Sequence, residues 1–275
     1  MKTNNHLAQL AVRALLYEVS LPDKPGLVSP TGNPGHSDMD IFTFIDSALS
    51  LQPYFEQLVE LGENFQGTDL TALFAKARKL GLAAEKAMLQ ATNGVNTHKG
   101  AIFSLGIAVV ATAYTQNKAL PEIVSTIKKM LRNLTAEDFG AMRAGEKMTA
   151  GERQFQEYGL PGIRGEAEAG FPTVMNVALP FLVQSKGQSD LNRRLMDTLM
   201  KIISVLPDSN LIKRAGNVQI LDWIRAQTSC YFRSSDKQSF LLQLNQTMKE
   251  RNLSLGGSAD ILILTIFFSF LEDII

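Results

Sequence analysis

LTALFAKARKLGLAAEKAMLQATNGVNTHKGAIFSLGIAVVATAY, residues 70–114, reads as two helices and the joint between them. From Leu70 the apolar positions Leu73, Phe74, Ala77, Leu80, Ala84, Ala87, Met88 and Ala91 recur in steps of three and four, the spacing of one face of an α-helix. Asn93-Gly94 ends that helix, and Thr97 reads as the N-cap of the next. The second helix, HKGAIFSLGIAVVATAY, is apolar nearly all round, the pattern of a helix enclosed by its neighbours. A chain that contains such a helix must supply other helices to surround it.

The remaining sequence supplies them. Helical spacing recurs in Leu7 to Val19, Ile41 to Leu61, Leu191 to Leu206 and Ile220 to Phe232, while alternating strand patterns are scarce. No internal repeat, low-complexity tract or Pro/Gly/Ser linker divides the 275 residues. The expectation is one all-α, multi-helix domain over residues 1–275, with a polar cleft formed by its interhelical loops. The terminal run ILILTIFFSFLEDII is interrupted by Thr265 and Ser269 and is too short to span a bilayer comfortably, so it reads as a buried core helix.

Charge and cysteine narrow the function classes. Lys+Arg and Asp+Glu are 27 each, a balance that argues against nucleic-acid wrapping and against an anionic membrane surface. The single cysteine, Cys230, excludes an internal disulfide and a cysteine zinc cluster, and reads as a small buried hydrophobe. The N-terminal residues lack the features of a secretory signal, so the expected location is cytoplasmic.

Glycine and charge gather at five joints: residues 24–40, 93–101, 159–172, 207–216 and 252–260. In the second, the free N–H groups of a helix start, a close-approach glycine, Lys99 and His98 together suit a phosphate. Capping by Thr97 with a solvated Lys99 explains the same pattern without a ligand. In the third, Arg164 can grip phosphate through paired donors, and Glu166 and Glu168 can hold a metal or remove a proton. A solvated, salt-bridged turn is the plainer reading. Asp38 and Asp40 in GHSDMD are spaced to meet one metal from a loop, although Asp38 also reads as an N-cap. Asp208 and Arg214 repeat the acid and base set, and Ser258 and Asp260 open the last apolar helix, where Asp260 also suits the helix dipole.

These same stretches, EVSLPDKPGLV, GHSDMD, AEKAMLQATNGVNTHKGAIFSLG, GIRGEAEAGFP, DSNLIKRAG and NLSLGGSADIL, resemble in order and spread the triphosphoribosyl-dephospho-coenzyme A synthase family. The resemblance implies an all-helical enzyme that joins ATP to the 2'-hydroxyl of 3'-dephospho-coenzyme A with release of adenine. Its product is the prosthetic-group precursor for an acyl carrier protein of citrate lyase or malonate decarboxylase, delivered by a downstream prosthetic-group transferase. The chemistry asks for a general base, for which Glu166 or Glu168 is the candidate, and for cations and Mg²⁺ to hold the triphosphate. His98, Lys99, Arg164, Arg214 and Ser258 are the candidates for nucleotide binding, and Asp38, Asp40 and Asp208 for the metal. The sequence departs from the family pattern at Leu255, where proline is usual, and at Ile163, Ala169, Ser209, Lys213 and Ala215. A metal-dependent nucleotide hydrolase and a non-catalytic nucleotide-binding regulator would use the same residue types, and product analysis separates the three.

Overall fold

The computed structural model describes residues 3–34, 36–116, 119–140 and 148–275, without the side chains of residues 3–5; Gly35 of GHSDMD lies outside the described residues. Among the described residues there are fifteen α-helices and no β-strand. The first five are α1 (Thr3–Ser20), α2 (Ile41–Ser50), α3 (Gln52–Asn64), α4 (Leu70–Ala91) and α5 (Lys99–Tyr114). Then come α6 (Leu120–Met130), α7 (Leu134–Gly140), α8 (Ala150–Tyr158), α9 (Gly162–Glu168) and, after a π-helical segment Val174–Ala178, α10 (Leu179–Gln184). The last five are α11 (Leu191–Val205), α12 (Ser209–Ala215), α13 (Ile220–Arg233), α14 (Lys237–Glu250) and α15 (Gly256–Leu271).

The all-round apolar stretch is the axis of the fold. α5 packs against α3, α4, α6 and α15, and buries Ala101, Ile102 and every residue from Ser104 to Ala113. Its alanines and glycines let neighbours approach on all sides. Its polar residues bond back to their own helix, Ser104 to Gly100 O at 3.0 Å and Thr112 to Ala108 O at 2.8 Å, so their burial leaves no hydroxyl unpaired. α15 is built the same way, with Ile261–Phe270 buried and Thr265 bonded to Ile261 O at 2.8 Å. Each Leu, Ile or Phe enclosed in this way contributes about 1.5–3 kcal/mol. α1 and α3 close the layer around both with one apolar face each, Leu7, Ala11 and Leu15 on α1 and Phe55, Leu58 and Val59 on α3. The terminal run is the core helix that its composition predicts, and among the described residues no helix is long and apolar enough to cross a membrane.

Four local expectations differ from the structure. The segment Ile41 to Leu61 is two helices, because Pro53, which lacks an N–H, sits in the first turn of α3. The joints 159–172 and 207–216 contain the short helices α9 and α12. Asp208 caps the start of α12, and Gly216 ends it in the left-handed conformation, with φ 72°. Thr97 is not the N-cap of α5: that position is His98, and the Asn96 side chain accepts from Lys99 N at 3.2 Å. Cys230 is exposed, since it lies off the buried stripe Ile220, Ile224, Thr228 and Tyr231 of α13.

Candidate active site

The start of α5 is held from below by α2. Thr97 Oγ1 donates to Ser47 Oγ at 2.7 Å, and Ser47 Oγ lies 2.7 Å from His98 Nδ1. Ser47 thus links Thr97 to the imidazole through a shared hydroxyl. Nε2 of the same ring is buried and has no partner among the described residues. The ring also meets Phe44 edge-on, at 4.9 Å. Burial, reinforced by the nearby Lys24 charge, lowers the His98 pKa to about 3, so the imidazole is neutral at physiological pH. His98 is thus an interior group rather than a surface one.

Asp208 ties α12 to α15. Its Oδ1 accepts from Asn210 N at 2.9 Å and Leu211 N at 3.2 Å, and its Oδ2 from Ser258 N at 2.7 Å and Ser258 Oγ at 2.8 Å. Burial nevertheless pushes its carboxyl upward, against those four bonds. Gly257 lies against it: a Cβ there would stand 3.1 Å from Oδ1. Leu255, at the family's proline position, is fully buried just before α15.

Asp260 is one turn further along α15 and packs onto the first turn of α5. A Cβ on Gly100 would overlap its carboxylate, so only glycine permits this approach. The Asp260 side chain makes no hydrogen bond among the described residues, and the residue is partly exposed, as are Gly100, Gly256 and Gly257 beside it. Burial first, then the carboxylates of Asp208 and Glu18, push its carboxyl well above the usual range. Glu18 itself is matched by Lys24. The pair is buried, at 2.5 Å, and Lys24 Nζ also donates to Glu18 O at 2.7 Å. Removing two charges from water costs several kcal/mol each, so such a pair adds little to stability.

The joints therefore meet around the start of α15. Residues 252–260 touch 93–101 through Gly100 and Asp260, 207–216 through Asp208 and Ser258, and 24–40 through His36 Nε2 and Ser254 Oγ at 3.2 Å. Arg214 Nη1 donates to Asn252 Oδ1 at 2.6 Å, at the rim of the same assembly. The remaining joint, 159–172, reaches it where a Cβ on Gly162 would stand 2.8 Å from Ser209 Oγ.

The other predicted residues are placed differently. Lys99 is 59% exposed and paired with Glu85. Arg164 Nε bonds Asp138 Oδ2 at 2.8 Å and its guanidinium lies over Phe139. Glu166 accepts from Thr173 N at 3.2 Å and Oγ1 at 2.8 Å, and Glu168 Oε2 accepts from Thr135 N at 3.1 Å and from Thr135 Oγ1. Two residues apart on a helix, these carboxylates point to different sides and serve different helix starts. Asp40 forms a capping box with Thr43 at the start of α2, so the cap expected of Asp38 is made by Asp40. Asp38 is exposed and accepts no hydrogen bond among the described residues. Among them, no three acidic, histidine or cysteine side chains are placed to share a metal ion. Asp208 has all four of its acceptor positions filled, so a metal there would have to displace Ser258 or the α12 backbone.

Sequence reasoning named Gly100 and Asp260 at candidate helix starts without giving them a catalytic role, and passed over Ser47 and the Glu18–Lys24 pair. A signal was present for two of these groups: Asp260 is the one charge within GGSADILILTIFFSF, and Glu18 and Lys24 lie in EVSLPDKPGLV. A surface cavity of about 480 Å³ between the ends of α3 and α5 and the flank of α6 has Glu63, Tyr114 and Lys129 on its walls and none of the joint residues.

Comparison with known proteins follows this geometry. The family described as ATP:dephospho-CoA triphosphoribosyl transferase matches residues 4–275. A Lactiplantibacillus plantarum protein named "Probable 2-(5''-triphosphoribosyl)-3'-dephosphocoenzyme-A synthase" is 50% identical over 272 residues, 96% of each chain. A Streptococcus equi subsp. equi protein of the same name is 37% identical over 293 residues, 99% of this chain and 98% of its own. "Protein CitXG" of Leuconostoc mesenteroides subsp. cremoris is 48% identical over 279 residues, which take in 97% of this chain and 59% of that longer one. No solved structure matches the chain.

Proposed function

The chain belongs to the ATP:dephospho-CoA triphosphoribosyl transferase family, and on that premise we propose that it carries out the family's reaction at the floor formed by Gly100, Gly256, Gly257 and Asp260. The reaction moves the triphosphoribosyl group of ATP to dephospho-CoA and forms 2-(5''-triphosphoribosyl)-3'-dephospho-CoA; what remains of ATP is adenine. The observation that carries the location is the close approach of Asp260 to Gly100, which brings the starts of the two most buried helices together.

Breaking the bond between ribose and adenine builds positive, oxocarbenium-like character on the sugar, and the attacking hydroxyl must lose a proton. A site with several carboxylates and small glycine walls suits both needs. Of the pair predicted from sequence, Glu168 has no hydrogen bond on Oε1 among the described residues, whereas Glu166 uses both oxygens on Thr173; Glu168 is therefore the candidate base. Lys99 and Arg164, partly exposed, are the candidate triphosphate contacts, with Arg214 at the rim. His98 and Ser258 support the helix starts from the interior.

Mg²⁺ belongs to this reading as a companion of ATP. The absence of a ready-made cage among the described residues fits an ion that keeps its waters and is held by substrate phosphates plus one or two carboxylates. Asp38, with no hydrogen bond to lose, is the best placed of the predicted ligands to contribute. The ion would offset the charge of the triphosphate. Onward delivery of the product to a prosthetic-group transferase and an acyl carrier protein, in the cytoplasm, completes the proposal.

Product analysis tests it. Purified protein with ATP and Mg²⁺ should release adenine only when dephospho-CoA is added, with no phosphate formed. Phosphate release without the second substrate would make the protein a nucleotide hydrolase, and intact ATP in both cases would leave a nucleotide-binding regulator.

A further inference from the structure

We propose that Asp260 is the general acid of the transfer: its carboxyl proton goes to a ring nitrogen of adenine as the bond between ribose C1' and the purine breaks. The proposal rests on the reaction argued above. The electron pair of the breaking bond leaves with adenine, the 2'-hydroxyl oxygen of dephospho-CoA forms the new bond at C1', and the hydroxyl proton passes to the general base. Solvent then restores the proton of Asp260.

Three observations support this residue. First, its carboxyl accepts no hydrogen bond from any described residue, whereas Asp208, Glu166 and Glu168 are each held by two or more donors at helix starts. A carboxyl group left without donors is the one free to exchange a proton with a ligand. Second, the approach to Gly100 holds the group at the partly exposed glycine floor, where a substrate can touch it. Third, its surroundings favour the protonated form. The charged groups that act on it are the carboxylates of Asp208, before α12, and Glu18, on α1; Glu18 is bound to Lys24, and the Gly100 it packs on follows neutral His98 and the Glu85-paired Lys99 in the chain. Burial and these two acids raise its proton affinity, and the Lys24 ammonium is engaged by Glu18. A carboxyl group held in its protonated form beside the breaking bond is what the departure of a poor leaving group requires.

The test uses two sugar donors. ATP needs its adenine protonated to leave, whereas N7-methylated ATP already carries the positive charge on the purine. Asp260→Asn should slow adenine release from ATP by about 10²–10⁴-fold, the usual worth of general acid catalysis, and leave turnover of the methylated donor within a few-fold of wild type. In the wild-type protein, release from ATP should fall as pH rises through the raised pKa of Asp260, and release from the methylated donor should lack that fall. Asp260→Ser gives the same comparison should the asparagine variant not fold. Wild-type turnover of ATP by a folded variant would overturn the proposal, as would an equal loss with both donors, which marks a structural role. Absence of adenine release from the wild-type protein removes the proposed reaction itself, an outcome distinct from either.

Discussion

Two joints of this protein carry the same residue types and use them in opposite ways. In residues 159–172, Arg164, Glu166 and Glu168 are partly exposed, and each is held by a neighbour: an aspartate, a helix start, a second helix start. Where residues 93–101 meet 252–260, His98 Nε2 and the Asp260 carboxyl have no hydrogen-bond partner among the described residues. The first arrangement stabilises its surroundings; the second lowers stability by leaving His98 Nε2 desolvated and unpaired. A cost retained at the meeting point of several joints, beside glycines that permit close approach, is the pattern of a site organised for a ligand.

The comparison breaks most visibly at Asp208, the residue that holds the second region together. Asp208→Asn turns one of its two oxygens into an NH2 group that faces either the α12 N–H groups or the N–H and O–H of Ser258, and should cost about 3 kcal/mol in denaturant unfolding. An unchanged unfolding midpoint would mean that α12 and α15 do not depend on this carboxylate.

His98 sharpens the same contrast through pH. Its folded pKa is lowered to about 3 while the unfolded imidazole stays near its ordinary value, so the unfolded state binds the proton first as pH falls. The His98 contribution is therefore intact above pH ~6.5 and should decline by about 1.4 kcal/mol per unit below it until the folded pKa is reached, against an opposite slope from the raised carboxyls of Asp208 and Asp260. His98→Asn, which keeps a hydrogen-bonding group for Ser47, should remove the His98 decline whatever it does to stability at neutral pH. Chemical denaturation at several pH values between 7 and ~4.5 measures both lines.

Glu166→Gln and Glu168→Gln each weaken a charge-assisted bond to a helix start, an effect of about 1 kcal/mol that a melting curve detects. Kinetics beside the melts separate the pair. Glu168→Gln should also lose adenine release per folded molecule while both substrates still bind, whereas Glu166→Gln should keep it. The smallest stability effect belongs to Lys99→Ala, which removes an exposed ion pair worth under ~1 kcal/mol. Its larger expected effect is a raised KM for ATP, and a KM equal to wild type would take Lys99 out of the triphosphate contacts.

The all-α class, the enclosed helices at 99–114 and 256–271, and the amphipathic helix at 70–91 were all legible in the sequence, because apolar spacing reports directly on which faces must leave water. The joints were legible as well, since glycine, proline and small polar residues mark where helices stop. What the sequence by itself determined, then, was the helical class, the enclosed helices and the short polar joints that lead to the family. Only the tertiary structure decided which of the acids at those joints had partners. Glu166 and Asp260 are each a carboxylate among glycines when read along the chain, but Thr173 comes to one and the bare backbone of Gly100 to the other. The free energy of a charged group depends on its desolvation and on donors that arrive from distant segments, and neither is a property of its local sequence.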